Sequence, residues 1–184
     1  YSRDGSLTYF IRRFDRTGRN GKLAVEDFAQ LAGESRGTKY DFSMERLVPL
    51  IDQHCTFPAV ARRDLFRRVL FCFLTGNEDM HLKNFSIIVD DGIVKLAPAY
   101  DLLNTTIALR KAEEEVALPV RGKKRNLTRN DLIRYYGGDR LGLNNVVIDE
   151  VVGDLAASVP SWAETIATSF LPAGLQSDAR RRAG

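Results

Sequence analysis

The stretch that most limits the fold is an apolar helical pattern that stops at a polar loop and then becomes a hairpin. Leu65, Phe66, Val69, Leu70 and Phe73 recur at helical spacing between about Val60 and Leu74. The loop Thr75-Gly76-Asn77-Glu78-Asp79 follows. Phe85 to Val89 and Ile93 to Ala97 then read as two strands joined at Asp90-Asp91-Gly92, a good hairpin turn. A loop held at both ends by rigid elements is where a site is usually built.

The rest of the chain reads as mainly helical. Asp4-Gly5 is a turn signal, and Leu7 to Phe14 is rich in β-formers, as in the second half of a hairpin. A linker with Gly18, Asn20 and Gly21 leads to a short helix over about Val25 to Ala32. Ser43 is placed to cap the next helix, with Leu47, Leu50 and Ile51 inward. In the long helix Arg63, Arg67 and Arg68 are expected on a solvated face. Thr128 and Asp131 form a capping-box-like start, and Gly137-Gly138 is expected to stop that helix. Val146, Val147, Val151 and Leu155 suggest a buried helix, and Ser161 with Glu164 opens a last one. Trp162 is expected in the core, while Tyr135-Tyr136 fits either the core or an interaction patch.

The 184 residues suit one domain with a sizeable core. With 44% hydrophobic and 28% charged residues the composition is globular. A net charge of +3 permits contact with phosphates but gives no case for direct nucleic-acid binding, which is not expected. No apolar run approaches the roughly 18 residues of a membrane span. Without a signal peptide, and with Cys72 inside an apolar helix as a reduced buried thiol, the expected location is cytoplasmic, away from membranes.

The loop carries the chemistry. Asp79, His81, Lys83 and Asn84 crowd between helix and strand, and Asp79 and Asn84 are five residues apart. With the hairpin turn centred on Asp91, Val89 pairs with Ile93 and Phe85 with Ala97. The chain then returns past Asn84 near Pro98, and Asp101 follows three residues later. Oxygen ligands of this kind suit Mg²⁺, which keeps several waters and bridges phosphates. An Asp to accept a hydroxyl proton, with an Asn and a second Asp to hold Mg²⁺ on a nucleotide, is the plan of a kinase catalytic loop.

The histidine narrows the class. Ordinary protein kinases carry His two residues before the base; here residue 77 is Asn and His81 comes two residues after Asp79. The order Asp79-x-His81-x-x-Asn84 resembles the HipA-like kinases and, more distantly, the phosphoinositide kinases. Gly76-Asn77 through Lys83-Asn84-Phe85-Ser86 and Leu96-Ala97-Pro98-Ala99-Tyr100-Asp101 extend the likeness. Arg13-Phe14-Asp15-Arg16 resembles the family's hinge motif, and Glu26-Asp27-Phe28-Ala29-Gln30 resembles the helix behind it.

The resemblance implies an α+β, mostly α fold: a protein-kinase-like C-lobe with a small hairpin beside the catalytic loop and a remnant of the N-lobe hairpin. Residues 1–14 would be the hairpin end and hinge, 15–174 the lobe, and 175–184 a flexible basic tail. It implies Asp79 as proton acceptor and Asn84 and Asp101 as Mg²⁺ ligands. His81, Lys83 and Tyr100 would lie against the ATP phosphates, and Arg12, Arg13 and Phe14 would meet the adenine. Without the resemblance, Lys83 reads as a surface lysine and His81 as a structural histidine bridging the loop. The basic run Arg121 to Arg125 reads as a solvated loop or a site for an acidic or phosphate-bearing partner.

A kinase also needs a glycine-rich loop and a strand lysine, and the first lysine here is Lys22. The 184 residues alone are therefore expected to bind ATP poorly, with an N-lobe supplied in cis or by a partner chain. The family implies a bacterial toxin that phosphorylates a protein, usually an aminoacyl-tRNA synthetase, and is held by a DNA-binding antitoxin. One rival is a lipid or small-molecule kinase, which the neutral run Asp101 to Thr106 disfavours. The other is a non-catalytic lobe serving as a binding module.

Overall fold

Helical spacing of Leu65, Phe66 and Val69 puts them on one side of α3 (Pro58–Thr75) in the computed structural model, which describes residues 4–5, 8–109 and 114–183. Pro58 starts this helix where a missing N–H costs nothing. Gly76 ends it in the left-handed conformation at φ 68°, where glycine has no Cβ penalty. The helix is the centre of the molecule: α2 (Met44–His54), α5 (Asn145–Ala167), α6 (Ala173–Ala183) and a π-helical stretch (Asn130–Arg140) all pack on it. Phe66 is fully buried, as are Leu47, Ile51, Tyr136 and Val151 from the surrounding helices. Cys55 and Cys72 are free and buried, and burial pushes the Cys72 thiol up to about 12.

The sheet is larger than the sequence suggested. Val25–Asp27, expected as helix, form strand β3, because they pair antiparallel with β4 (Ser86–Asp90) in register Val25↔Ile88 and Asp27↔Ser86. Only Phe28–Leu31 are helical (α1), opened by a capping box in which Asp27 and Gln30 satisfy each other's backbone N–H groups. The expected linker at Gly18 to Gly21 is a minimal hairpin, β1 (Arg16–Thr17) on β2 (Gly21–Lys22). Residues 8–13 form no strand: among the described residues nothing offers them a ladder. Leu7, where that strand was expected to begin, lies outside the described residues.

The hairpin of β4 and β5 (Ile93–Leu96) forms one register step away from the expected one. Asp91 at φ 50° and Gly92 at φ 76° make a two-residue turn with both central residues left-handed. Asp90 therefore faces Ile93, and Val89 faces Val94 rather than Ile93. One step exchanges the two faces of a strand, so Val94 and Leu96 turn toward the core while Ile93 stays exposed.

Three further expectations change. Arg68 leaves the solvated face: it is buried and donates from Nη2 to the Ala97 carbonyl oxygen at 2.5 Å. Gly137-Gly138 does not stop its helix, which runs on to Arg140. Gly137 is there for closeness, since a Cβ would lie 2.8 Å from Phe66 Cε2. Ser161 opens nothing, because α5 continues through Pro160 to Ala167; its inward residues are Ile148, Val151 and Leu155, while Val146 is exposed. Residues 175–183, most of the expected tail of 175–184, lie in α6 (Ala173–Ala183). Trp162 meets Phe71 edge-on at 5.5 Å, at the margin of the core.

The capping box at Thr128 is as expected. Asp131 Oδ2 accepts from the Thr128 backbone N–H at 3.0 Å and its hydroxyl at 2.8 Å, and Lys123 Nζ approaches to 3.1 Å. The Thr128 backbone N–H, then its hydroxyl, then Lys123 hold the Asp131 carboxyl down at about 2. An unfolded Asp titrates at about 3.9, so this carboxylate contributes stability above that pH. The contribution is lost as pH falls from about 4 to about 2. The melting midpoint should therefore drop over that window, and Asp131→Asn should flatten the drop; an unchanged pH profile in the variant would contradict the assignment.

Candidate functional site

Gly76 turns the chain out of α3 into a loop that is hydrogen-bonded mostly to itself. The Asp79 N–H donates to Asn77 Oδ1 at 3.1 Å, and the Asp79 carbonyl accepts from the His81 N–H at 2.8 Å and from Asn84 Nδ2 at 2.9 Å. Leu82–Asn84 form one 3₁₀ turn, with Leu82 fully buried as its anchor. Phe85 then enters the core, its carbonyl accepting from the Phe28 N–H at 2.9 Å. Asp79 is partly exposed, while His81 and Asn84 are buried.

Two segments distant in sequence brace this loop. The first is Lys39-Tyr40. The Lys39 carbonyl accepts from the Leu82 N–H, Lys39 Nζ lies 2.7 Å from His81 Nε2, and Tyr40 donates its hydroxyl to Asp79 Oδ1 at 2.5 Å. Burial and the Asp79 carboxylate push the Tyr40 phenol up to about 12, so it remains a donor at neutral pH. The second is the start of α4 (Thr105–Leu109). Thr105 and Thr106 hydroxyls both donate to the Gly76 carbonyl, and Thr106 reaches Glu78 at 2.5 Å. Neither brace was read from the sequence. Lys39 and Tyr40 lie in an aperiodic loop, and no local signal marks them.

The expected site residues fall into three groups. Asp79, His81 and Asn84 share the loop, and the charge of Asp101 also reaches His81. The His81 imidazole is held below its ordinary range, first by burial and then by Lys39, against the opposing pull of Asp79 and Asp101. Lys83 is committed to an ion pair with Asp27 at 2.7 Å, half-exposed. Tyr100 donates to the Lys83 carbonyl at 2.6 Å and lies 2.5 Å from Ser86 Oγ, and Phe14 stacks on its ring at 5.8 Å. Arg13 pairs with Asp15 at 2.7 Å, and Arg12 is exposed beside it. Among the described residues, the hinge approaches the loop through Phe14 on Tyr100.

Asn84 and Asp101 have the chemistry a divalent cation requires. The Asn84 amide nitrogen is engaged by Asp79, which leaves its Oδ1 as the acceptor facing outward from that bond. The exposed Asp101 carboxylate has no side-chain partner among the described residues. Its backbone is left-handed at φ 55°, a shape that costs a non-glycine residue about 1 kcal/mol or more. No group of three or more His, Cys, Asp or Glu forms a closed cage among the described residues. Two oxygen donors of this kind match Mg²⁺, which takes one or two protein ligands and completes its shell with water and phosphate.

Tyr40→Phe removes the hydrogen bond to Asp79 and keeps the ring. The carboxylate should then rotate freely, and any activity that depends on Asp79 should fall roughly tenfold to a hundredfold, the value of one hydrogen bond to a charged group, with fold stability little changed.

A model of the HipA-like C-terminal domain matches residues 1–163. A protein of Sinorhizobium fredii provisionally named kinase Y4dM is 42% identical over 109 residues, 59% of this chain and 26% of that protein. The serine/threonine-protein kinase toxin HipA of Shewanella oneidensis is 28% identical over 130 residues, 60% of this chain and 30% of the toxin. Among solved structures, a chain of the Shewanella oneidensis complex of HipA, HipB and operator DNA superposes with a TM-score of 0.77 at 23% identity. The match covers 93% of this chain and 46% of that one. The chain thus spans about a quarter to a half of the length of these relatives. No helix among the described residues is long and apolar enough to cross a membrane.

Proposed function

Because this chain belongs to the family of HipA-like C-terminal domains, we propose that it is the C-terminal lobe of a serine/threonine protein kinase. The lobe would transfer the γ-phosphoryl group of ATP to a protein hydroxyl. The observation that carries the reading is the hydrogen-bonded loop itself, in which the Asp79 carbonyl accepts from Asn84 Nδ2 at 2.9 Å and from the His81 N–H at 2.8 Å while Tyr40 donates to Asp79 Oδ1. In this reading residues 1–14 are the end of the N-lobe hairpin and the hinge, 15–174 the lobe and 175–184 a flexible basic tail. An N-lobe, in cis or from a partner chain, supplies the glycine-rich loop and the strand lysine.

The donor geometry supports these roles. Tyr40 occupies Asp79 Oδ1, which leaves Oδ2 to receive the proton of the attacking hydroxyl. As the new O–P bond forms, the bond from the γ-phosphorus to the bridging oxygen breaks, and ADP leaves with that electron pair. Asn84 Oδ1 and Asp101 would hold Mg²⁺, which when bound neutralises charge on the phosphates. His81, steadied by Lys39, and Lys83, steadied by Asp27, line the phosphate side. Phe14 on Tyr100 would form the base platform, with Arg12 and Arg13 at its edge. The Shewanella relative is a kinase toxin, and its complex carries HipB and operator DNA. By extension the whole protein here would act on a translation enzyme such as an aminoacyl-tRNA synthetase and be restrained by a DNA-binding antitoxin.

Calorimetry of Mg²⁺-ATP on the chain extended through its upstream coding sequence tests this. Binding should weaken by at least roughly tenfold in Asp101→Ala, the loss of one charge-assisted contact. No binding in the extended chain itself would favour the binding-module reading instead.

A further inference from the structure

Burying an arginine is costly unless a carboxylate or a full set of acceptors meets its guanidinium. Arg68 has neither. It is only 8% exposed, its side chain hydrogen-bonds to the Ala97 carbonyl, and no carboxylate lies within ion-pair distance among the described residues. Its Nη1 is buried without a partner, and so is Nε of the neighbouring Arg67. Both arginines line one open cleft of about 390 Å³ between α3, β5 and the run Ala97-Pro98-Ala99. Lys95 adds a third cation at its rim, and Asp64 is the carboxylate on the wall.

The counter-ions on hand do not answer this demand. Arg67 pairs with Asp154 and Lys95 with Asp90, both at the surface, where such pairs contribute little. Asp64 lies one helical turn before Arg68, and its charge acts on Arg68 without a bond between them. Burial is the largest influence on the Arg68 guanidinium and lowers its pKa. Leu96 and Pro98 make the remaining wall apolar, which strengthens any charge interaction formed there.

We propose that this cleft is a binding site for an oxyanion, a phosphate or carboxylate group, received by Arg68 and Arg67. It lies behind the segment that delivers Asp101, on the other end of the Arg68–Ala97 hydrogen bond. It is distinct from the loop of Asp79 and does not rest on the phosphoryl-transfer reading.

The probes are inorganic phosphate and acetate, titrated into the ¹⁵N-labelled chain at constant ionic strength against chloride. Saturable amide shifts are expected at residues 95–99, weakened at least about tenfold in Arg68→Met, as for loss of a charge-assisted hydrogen bond. Arg67→Met, which leaves the buried position intact, should weaken them as well. Response to both anions assigns a general oxyanion site, and response to one assigns its chemistry. Shifts confined to residues 79–84, or shifts at 95–99 that survive both substitutions, would overturn the proposal. An Asp79→Asn control separates the two sites, because it should leave the shifts at 95–99 unchanged whether or not the kinase reading holds.

Discussion

Asp79→Asn, made in the chain extended through its upstream coding sequence, is expected to lower γ-phosphoryl transfer to protein by about 10²–10⁴-fold, the usual worth of a positioned general base. The substitution keeps the shape of the side chain, and its Oδ1 still accepts from the Tyr40 hydroxyl. The backbone carbonyl that receives His81 and Asn84 is untouched, so the loop should hold its form. Mg²⁺-ATP affinity should stay unchanged, because Asp79 is assigned to the attacking hydroxyl and not to the metal. Transfer of label from γ-³²P-ATP in single-turnover conditions, beside calorimetry on the same variant, measures both. A variant that loses nucleotide binding together with transfer would move Asp79 from proton acceptor to ligand. One that keeps full transfer would remove it from the chemistry.

The largest effect on stability is expected at Phe66. The ring is fully buried at the centre of α3. The π-helical stretch comes close enough that a Cβ on Gly137 would sit 2.8–2.9 Å from two ring atoms. Phe66→Ala removes the filler from a contact built around glycine. The neighbouring backbone has no side chain with which to close the gap, so the full cavity cost applies. A loss of about 3–5 kcal/mol is expected in urea unfolding, a third or more of the stability of an ordinary domain. Gly137→Ala fails for the opposite reason, by overpacking, and should cost about 1–3 kcal/mol. A loss below about 1 kcal/mol in Phe66→Ala would mean that the two helices do not meet at this contact.

The sequence carried the centre of the fold and little of its rim. The period of α3, the glycine at its end and the Asp91-Gly92 turn are local signals, and they located the loop and the hairpin correctly. Three errors have separate causes. Val25–Asp27 have no strand signal of their own and become β3 only because β4 offers them a ladder. The hairpin register depended on how many residues the turn consumes, which the composition of the turn leaves open between neighbouring choices. Arg68 reads as a surface residue by helical phase, and it is buried because the Ala97 carbonyl, 29 residues later, takes its charge-bearing end. In the site, the residues of the motif were legible one by one. Lys39 and Tyr40 were not, since what places them is the packing of an irregular loop against residues about 40 positions away.

Asp101 stands in a backbone shape that glycine adopts freely. Stability by itself would favour glycine there, and in the proposed reading the need to hold a cation opposes that replacement. Asp101→Gly should therefore raise the unfolding midpoint while weakening Mg²⁺-ATP binding, so that one position trades fold stability against the proposed site.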